Sequence, residues 1–313
     1  MNICVVMPVT ETHIKILKQV APSASFYFGK DLTKLEQAEI IIGNVSPQII
    51  SRLPNLKWLQ LNSAGAGSYC KKGILSDNTL LTNATGAYGT AVSEHIMALL
   101  LAMMKRLYQY YEQKESCIWK DRGTVKTIKN SVVLIVGFGD IGRTFAGMVK
   151  AMGAYVIGIR RRSKEIVPEA DEMGTMDFLD AYLPRADIVV SILPDTSFTR
   201  KIYNKKRFEM MKKGSYFINA GRGNAVVQED LLDSLNNHHL AGAAIDVADP
   251  EPLLADSPLW STPNLYITPH ISGGLHTKVT WDGIIKIAAE NLRRYKLGQP
   301  LLNQVDRIFG YKK

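Results

Sequence analysis

Short apolar runs separated by glycine, proline and polar turn residues set the rhythm of the chain. In the first hundred residues, Ile3–Met7, Glu39–Ile42, Leu56–Leu61 and Leu80–Asn83 read as strands between helical or turn segments. That alternation predicts a parallel sheet flanked by helices. A second series follows at Val132–Val136, Tyr155–Ile159, Ile188–Leu193, Ser215–Asn219, Ala243–Val247 and Leu265–Thr268. Six such strands with intervening helices describe a doubly wound α/β sheet. Between the two series, Ala91–Leu107 carries charge only at Glu94, Lys105 and Arg106, which predicts a helix buried between domains or subunits. Near the end, Ile284, Ile285, Ala288, Leu292 and Tyr295 share one face of a helix over Trp281–Leu297 that stops at Gly298 and Pro300. This helix reads as a return across a domain boundary. The expected organisation is one domain from residues 1–98 and 281–313, with a second domain, 99–280, inserted into it.

Length and composition fit this picture and close off others. A chain of 313 residues argues for about two domains. With 46% apolar and 21% charged residues it is neither disordered nor a disulfide scaffold. The longest apolar run, Ile96–Met104, has nine residues, against about 18 for a membrane span. No positive charge precedes Lys15, so the N-terminus reads as a first strand rather than a signal peptide. Cys4, Cys70 and Cys117 are odd in number and widely spaced, which fits neither a disulfide framework nor a zinc site and points to a reducing cytoplasm. The net charge of +9 is dispersed apart from Arg160-Arg161-Arg162 and short lysine pairs. Without an aromatic-interleaved basic stripe, small anions are better partners than nucleic acid.

The strongest local signal is Gly137-Phe-Gly139-Asp140-Ile141-Gly142, entered from the Val132–Val136 strand. A helix with Ile141, Phe145, Val149 and Met152 at helical spacing follows, and Gly153 stops it. Gly137 permits a tight strand-to-helix turn, Gly139 lets backbone N–H groups approach a pyrophosphate, and Gly142 lets helix and strand pack. In this strand-turn-helix context the motif predicts a Rossmann dinucleotide-binding unit. NAD-type units place an acid about 20 residues on, to accept from the ribose 2′-hydroxyl. Here Arg160 stands 23 residues after Gly137, followed by Arg161, Arg162, Ser163 and Lys164. Guanidinium groups pair with a 2′-phosphate that a carboxylate would repel, so the expected cofactor is NADP(H).

Three later segments deliver polar residues at the carboxyl ends of strands: Asn219-Ala220-Gly-Arg222-Gly223, Asp246-Val-Ala-Asp-Pro-Glu251 and Thr268-Pro-His270-Ile-Ser-Gly273. Together with the glycine motif, they resemble the D-isomer-specific 2-hydroxyacid dehydrogenases, which include glyoxylate and hydroxypyruvate reductases. The match spans about Leu56 to Gly274. The resemblance implies a flavodoxin-like substrate domain carrying the inserted Rossmann domain, and a homodimer, which is the family's pattern. It implies that Arg222 holds the carboxylate of a 2-oxo acid and polarises its carbonyl, as suits a forked and permanent cation. It makes His270 the general acid and base, with Glu251 hydrogen-bonded to it. Each of these residue types alone is more often structural; the three together, at these positions, point to catalysis. Further implied cofactor contacts are Leu193, Pro194, Thr196, Ala220, Asp246 and Gly273. Ser63, Ala64, Gly65 and Ala66, after the Leu56–Leu61 strand, resemble the loop whose backbone N–H groups hold the substrate carboxylate. Tyr88 lies in the segment entering the long helix, as a pocket or hinge residue. The expected activity is NADPH-dependent reduction of a small 2-oxo acid to the D-2-hydroxy acid, the alternative being a catalytically silent nucleotide-sensing regulator of the same fold.

Overall fold

A computed structural model describes residues 1–161, 164–308 and 311–312. The chain folds as two compact units, Met1–Tyr88 with Gly274–Lys313, and Gly89–Gly273. In the first, β1 (Asn2–Val5), α1 (Glu11–Val20), β2 (Ser25–Phe28), α2 (Leu32–Glu36), β3 (Ile40–Ile42), α3 (Pro47–Ile50), β4 (Trp58–Gln60) and β5 (Leu80–Thr82) alternate along the chain. The strands form a parallel sheet ordered β2-β1-β3-β4-β5, a doubly wound, flavodoxin-like arrangement. The apolar pattern misses β2 because Ser25–Phe28 is an edge strand with no buried residue, so no run of core positions marks it.

The second unit holds α4 (Gly89–Met104), α5 (Leu107–Glu115), β6 (Val132–Val136), α6 (Asp140–Ala151), β7 (Tyr155–Arg160), β8 (Glu172–Thr175), α7 (Leu179–Tyr182), β9 (Ile188–Ser191), α8 (Lys205–Met210), β10 (Ser215–Asn219), α9 (Gln228–Asn236), β11 (Leu240–Ile245) and β12 (Leu265–Ile267). Its sheet is parallel throughout and ordered β12-β11-β10-β9-β6-β7-β8, so the winding reverses between β6 and β9. There are seven strands here rather than six, the addition being β8, Glu-Met-Gly-Thr, which is too short and polar to stand out. The long apolar helix is buried along Ala91, Val92, Ile96, Leu99, Leu100, Met103 and Met104, against α6, β10 and β11 of its own unit. This packing makes Gly89–Met104 a single element of the second unit, and the units change at 88/89 rather than after residue 98.

From Gly274 the chain rejoins the first unit through α10 (Lys278–Lys296), three residues longer at its start than the apolar face alone marks. Ile284, Ile285, Ala288 and Leu292 close the core formed with Ile3, Val5, Ile40, Ile42 and Trp58, and Tyr295 stacks on the Trp58 ring at 5.5 Å. The buried Asn291 amide donates to Gln60 Oε1 at 2.8 Å and to the Leu302 carbonyl at 3.0 Å, so it joins helix, strand and tail with its polar groups satisfied. Among the described residues, no helix is long and apolar enough to cross a membrane.

Candidate active site

The reversal point of the second sheet is where doubly wound folds bind ligands, beyond the carboxyl ends of the strands. There β6 runs into Gly137, whose φ of +104° an L side chain rarely adopts, and where a Cβ would overlap the Ile192 carbonyl. A Cβ at Gly142 would stand 2.6 Å from the Gly137 carbonyl oxygen, so the helix can approach the turn only as glycine. At Gly139 no atom lies within 4 Å of where a side chain would begin, and no described side chain caps α6. Open space beside an uncapped helix N-terminus fits a pyrophosphate, which the helix dipole and first-turn amides of Asp140, Ile141 and Gly142 would receive. The buried face of α6 consists of Gly142, Phe145, Ala146 and Val149. Ile141 is only half-buried and Met152 is exposed, a rotation from the expected stripe that puts the small residues Gly142 and Ala146 on the buried face.

Three glycine contacts stitch the neighbouring loops together at this edge. Besides Gly137 against Ile192, a Cβ at Gly221 would lie 2.5 Å from the Leu193 nitrogen, and one at Gly223 would overlap the Ala248 carbonyl. The loops after β6, β9, β10 and β11 therefore touch backbone to backbone, and Arg222 projects from between two of these contacts. Asn219 braces it, donating from Nδ2 to the Arg222 carbonyl at 3.0 Å and accepting from Gly221 N–H at 3.2 Å. The Ala248 N–H donates to Glu251 Oε1 at 3.0 Å, which turns Oε2 toward His270 Nδ1, 2.9 Å away. Arg222, Glu251 and His270 thus belong to one cluster of loops. The His270 and Glu251 side chains are 48% and 38% exposed, open enough for a ligand to reach the ring.

The other sequence-assigned positions fall around this cluster. Ala220 N–H bonds the Ser191 carbonyl at 3.0 Å, and Leu193, Pro194 and Thr196 form the loop after β9, closed by Thr199 Oγ1 donating to the Pro194 carbonyl at 2.6 Å. Asp246 is buried and already well occupied: its carboxylate accepts from Thr268 Oγ1 at 2.6 Å, Ile271 N–H at 3.0 Å and Ser272 N–H at 3.1 Å. It thereby shapes the turn that carries His270 and leads into Gly273.

At the end of β7, Arg160 lies over the Phe138 ring, its guanidinium carbon 5.9 Å from the centroid, and Nε donates to the Phe138 carbonyl at 3.2 Å. The second residue of the glycine motif thus seats the arginine, a role sequence spacing does not reveal. Arg161 is exposed, Lys164 Nζ sits 4.2 Å from the Phe178 centroid, and Arg162 and Ser163 lie outside the described residues. An acid is present as well: Glu169 pairs with Arg143 at 2.8 Å. That hydrogen bond, with Arg160 nearby, holds the Glu169 carboxyl below its ordinary range.

In the first unit, the loop after β4 has its carbonyls tied down. Asn62 accepts from Tyr88 Oη, Ser63 from Ala84 N–H, Ala64 from Asn83 Nδ2, and Gly65 from the Ser63 hydroxyl. Among the described residues, no acceptor takes the N–H groups of Ser63, Ala64, Gly65 or Ala66. Amides left without an acceptor beside engaged carbonyls are groups that an anion could take.

Comparison with known proteins bears on the whole chain. A family profile described as D-isomer specific 2-hydroxyacid dehydrogenase, NAD binding domain, matches residues 97–272. The glyoxylate/hydroxypyruvate reductase A of Escherichia fergusonii is 30% identical over 223 residues, 71% of this chain and 70% of that one. A D-isomer specific 2-hydroxyacid dehydrogenase family protein from Aeromonas salmonicida superposes with a TM-score of 0.86 at 30% identity, over 97% of this chain and 98% of that one. An NADPH-dependent glyoxylate/hydroxypyruvate reductase from Sinorhizobium meliloti, in complex with NADP and sulfate, gives 0.84 at 28% identity over 99% of both chains.

Proposed function

The chain belongs to the D-isomer-specific 2-hydroxyacid dehydrogenase family, and from that premise we propose that it reduces a small 2-oxo acid to the D-2-hydroxy acid with NADPH. The observation that carries this reading is the Glu251–His270 pair, half exposed at the carboxyl edge and joined to Arg222 through the contact of Gly223 with Ala248. With Nδ1 engaged by Glu251, Nε2 is the ring nitrogen left to give a proton to the substrate carbonyl oxygen. Arg222 draws electron density from that carbonyl and neutralises the carboxylate beside it. Within the first unit, the backbone amides of Ser63–Ala66 are groups able to take a carboxylate. The reduced nicotinamide, when bound, supplies the hydride. One hydride to carbon and one proton to oxygen complete the alcohol, and the ring must take up a proton again before the next turnover.

The case for NADPH rests on Arg160 and Arg161 in place of a ribose-binding acid, and on the S. meliloti relative crystallised with NADP. Glu169 does not oppose it, since Arg143 already engages that carboxylate. We also propose a homodimer. Its contact surface is α5 and the segment after it, where Leu107, Tyr108, Tyr111, Ile118 and Trp119 are exposed, rather than α4, which is buried in its own unit.

Initial rates with NADPH and NADH on glyoxylate, hydroxypyruvate, pyruvate and phenylpyruvate test the activity and the cofactor together. His270→Asn should lose at least about a hundredfold in rate while binding NADPH normally, and Arg222→Ala should lose about 2–4 kcal/mol of transition-state stabilisation. A wild-type protein inert toward all four acids, or one that prefers NADH, contradicts the corresponding part of the proposal.

A further inference from the structure

Behind the Glu251–His270 pair runs a polar chain with no part in the scheme above. His95 on α4 brings Nε2 to 3.0 Å from Thr268 Oγ1 and 3.6 Å from Asp246 Oδ1, and Thr268 Oγ1 lies 2.6 Å from the same carboxylate oxygen. Proton counting fixes the direction of this chain. Threonine carries a single hydroxyl proton, and Asp246 Oδ1 already accepts the Ile271 N–H. The hydroxyl therefore donates to Asp246, and its oxygen accepts from His95 Nε2–H.

The end of the chain is a strained residue. His270 has φ +53°, in the left-handed region that residues with a Cβ seldom occupy. Such a conformation persists only where the surroundings over-determine it. Here the His270 N–H bonds the Asp246 carbonyl at 2.7 Å and the Thr268 carbonyl at 3.0 Å, while the next two amides go to the Asp246 carboxylate. The turn is wound around one side chain, and that side chain is held by Thr268 and His95.

We propose that His95 and Thr268 are positioning residues for His270: they fix the Asp246 carboxylate, and through it keep the imidazole in the left-handed conformation that presents Nε2 to substrate. This proposal rests on the reading of His270 as the proton donor.

Two pairs of variants test it. Thr268→Val keeps the shape and removes the hydroxyl, whereas Thr268→Ser keeps the hydroxyl; His95→Leu removes the donor, whereas His95→Gln retains a side-chain N–H. Loss of one buried hydrogen bond amounts to roughly tenfold, so Thr268→Val and His95→Leu should each lower kcat about tenfold. KM for the oxo acid and the NADPH dissociation constant, measured by fluorescence titration, should stay near wild type. Thr268→Ser and His95→Gln should recover most of kcat. A purely architectural role predicts instead that folded variants retain kcat, and that result overturns the proposal; so does a folded Thr268→Ser as slow as Thr268→Val. If Thr268→Val does not fold, the His95 pair decides. Nitrogen-resolved NMR of the His270 ring is the readout independent of activity: its Nδ1–H signal should shift in Thr268→Val, and an unchanged signal refutes positioning. A wild-type protein without reductase activity but with that shift would instead remove the functional reading alone.

Discussion

A phenol and two carboxamides decide what the loop after β4 can bind. Tyr88, Asn83 and, through Asn62 and Ser63, Asn44 occupy its oxygens or its side chains, leaving the amides of residues 63–66 as the open face. Burial pushes the Tyr88 phenol up to about 12, so it remains a donor throughout the working range of an enzyme. Tyr88→Phe frees the Asn62 carbonyl to turn toward a bound carboxylate, and should raise KM for the oxo acid about tenfold with little change in kcat. Because the phenol stays protonated, the ratio of mutant to wild-type KM should be flat from about pH 6 to about pH 9; a ratio that collapses on going alkaline removes this account. Residue chemistry was the most legible level of the sequence. Gly137, Arg222, Glu251 and His270 stand out because turn geometry and the proposed carboxylate substrate and proton transfer each demand a residue type. The open amides do not, since their availability depends on which distant side chains engage the intervening carbonyls. The seat of Arg160 on Phe138 is hidden for the same reason: a stacking partner leaves no spacing rule in the chain.

At the scale of elements, the central strands of the two large sheets were legible throughout, whereas of their four edge strands β5 and β12 were read and β2 and β8 were not. The core strands β6, β9, β10 and β11 announce themselves as apolar runs, while β2 has no buried residue and β8, though buried at three of its four residues, is a short Glu-Met-Gly-Thr run. α5 escapes notice because Leu-Tyr-Gln-Tyr-Tyr exposes its apolar groups instead of burying them. Register in the central sheet depends on a polar residue. Asp187, just ahead of β9, accepts from Val132 N–H at 3.0 Å and from Lys212 Nζ at 2.6 Å, while its backbone bonds Val132 and Tyr216. It fastens the starts of β6, β9 and β10. Burial alone would lift its carboxyl, but the Lys212 and Val132 bonds outweigh burial and hold it below the usual range. A carboxyl depressed in the folded state contributes stability above its unfolded value, near 3.9, and loses that contribution as pH falls through the lower folded value. Asp187→Asn should therefore lower Tm at pH 7, by an amount that shrinks as pH falls below about 3.9. A Tm deficit of equal size at both pH values would mean that charge is not what the site uses.

The whole molecule distributes its charge unequally. The first unit, residues 1–88 and 274–313, carries 16 Lys and Arg against 8 Asp and Glu, whereas the second carries 22 against 21. Nearly all of the net +9 thus belongs to the unit with the open amides. A field of that sign raises the local concentration of small anions and speeds their arrival. Because the Debye length shrinks from about 30 Å at 0.01 M salt to about 8 Å at 0.15 M, kcat/KM for an oxo acid should fall across that range, and more steeply than kcat. Insensitivity to salt would confine the charge to a role in solubility. The interrupted first unit has a consequence of a different kind, for how the protein is made. The five strands of its large sheet all come from the first 88 residues, yet the face bearing Trp58 is covered by α1 together with the late-made α10, whereas Gly89–Gly273 is continuous. On the ribosome, the nucleotide-binding unit can finish folding while the earlier-made sheet still waits for its last helix. A nascent chain that has reached Gly274 therefore holds one complete unit and one whose apolar face lacks the part that α10 covers. That is the stage at which chaperones and proteases would find it.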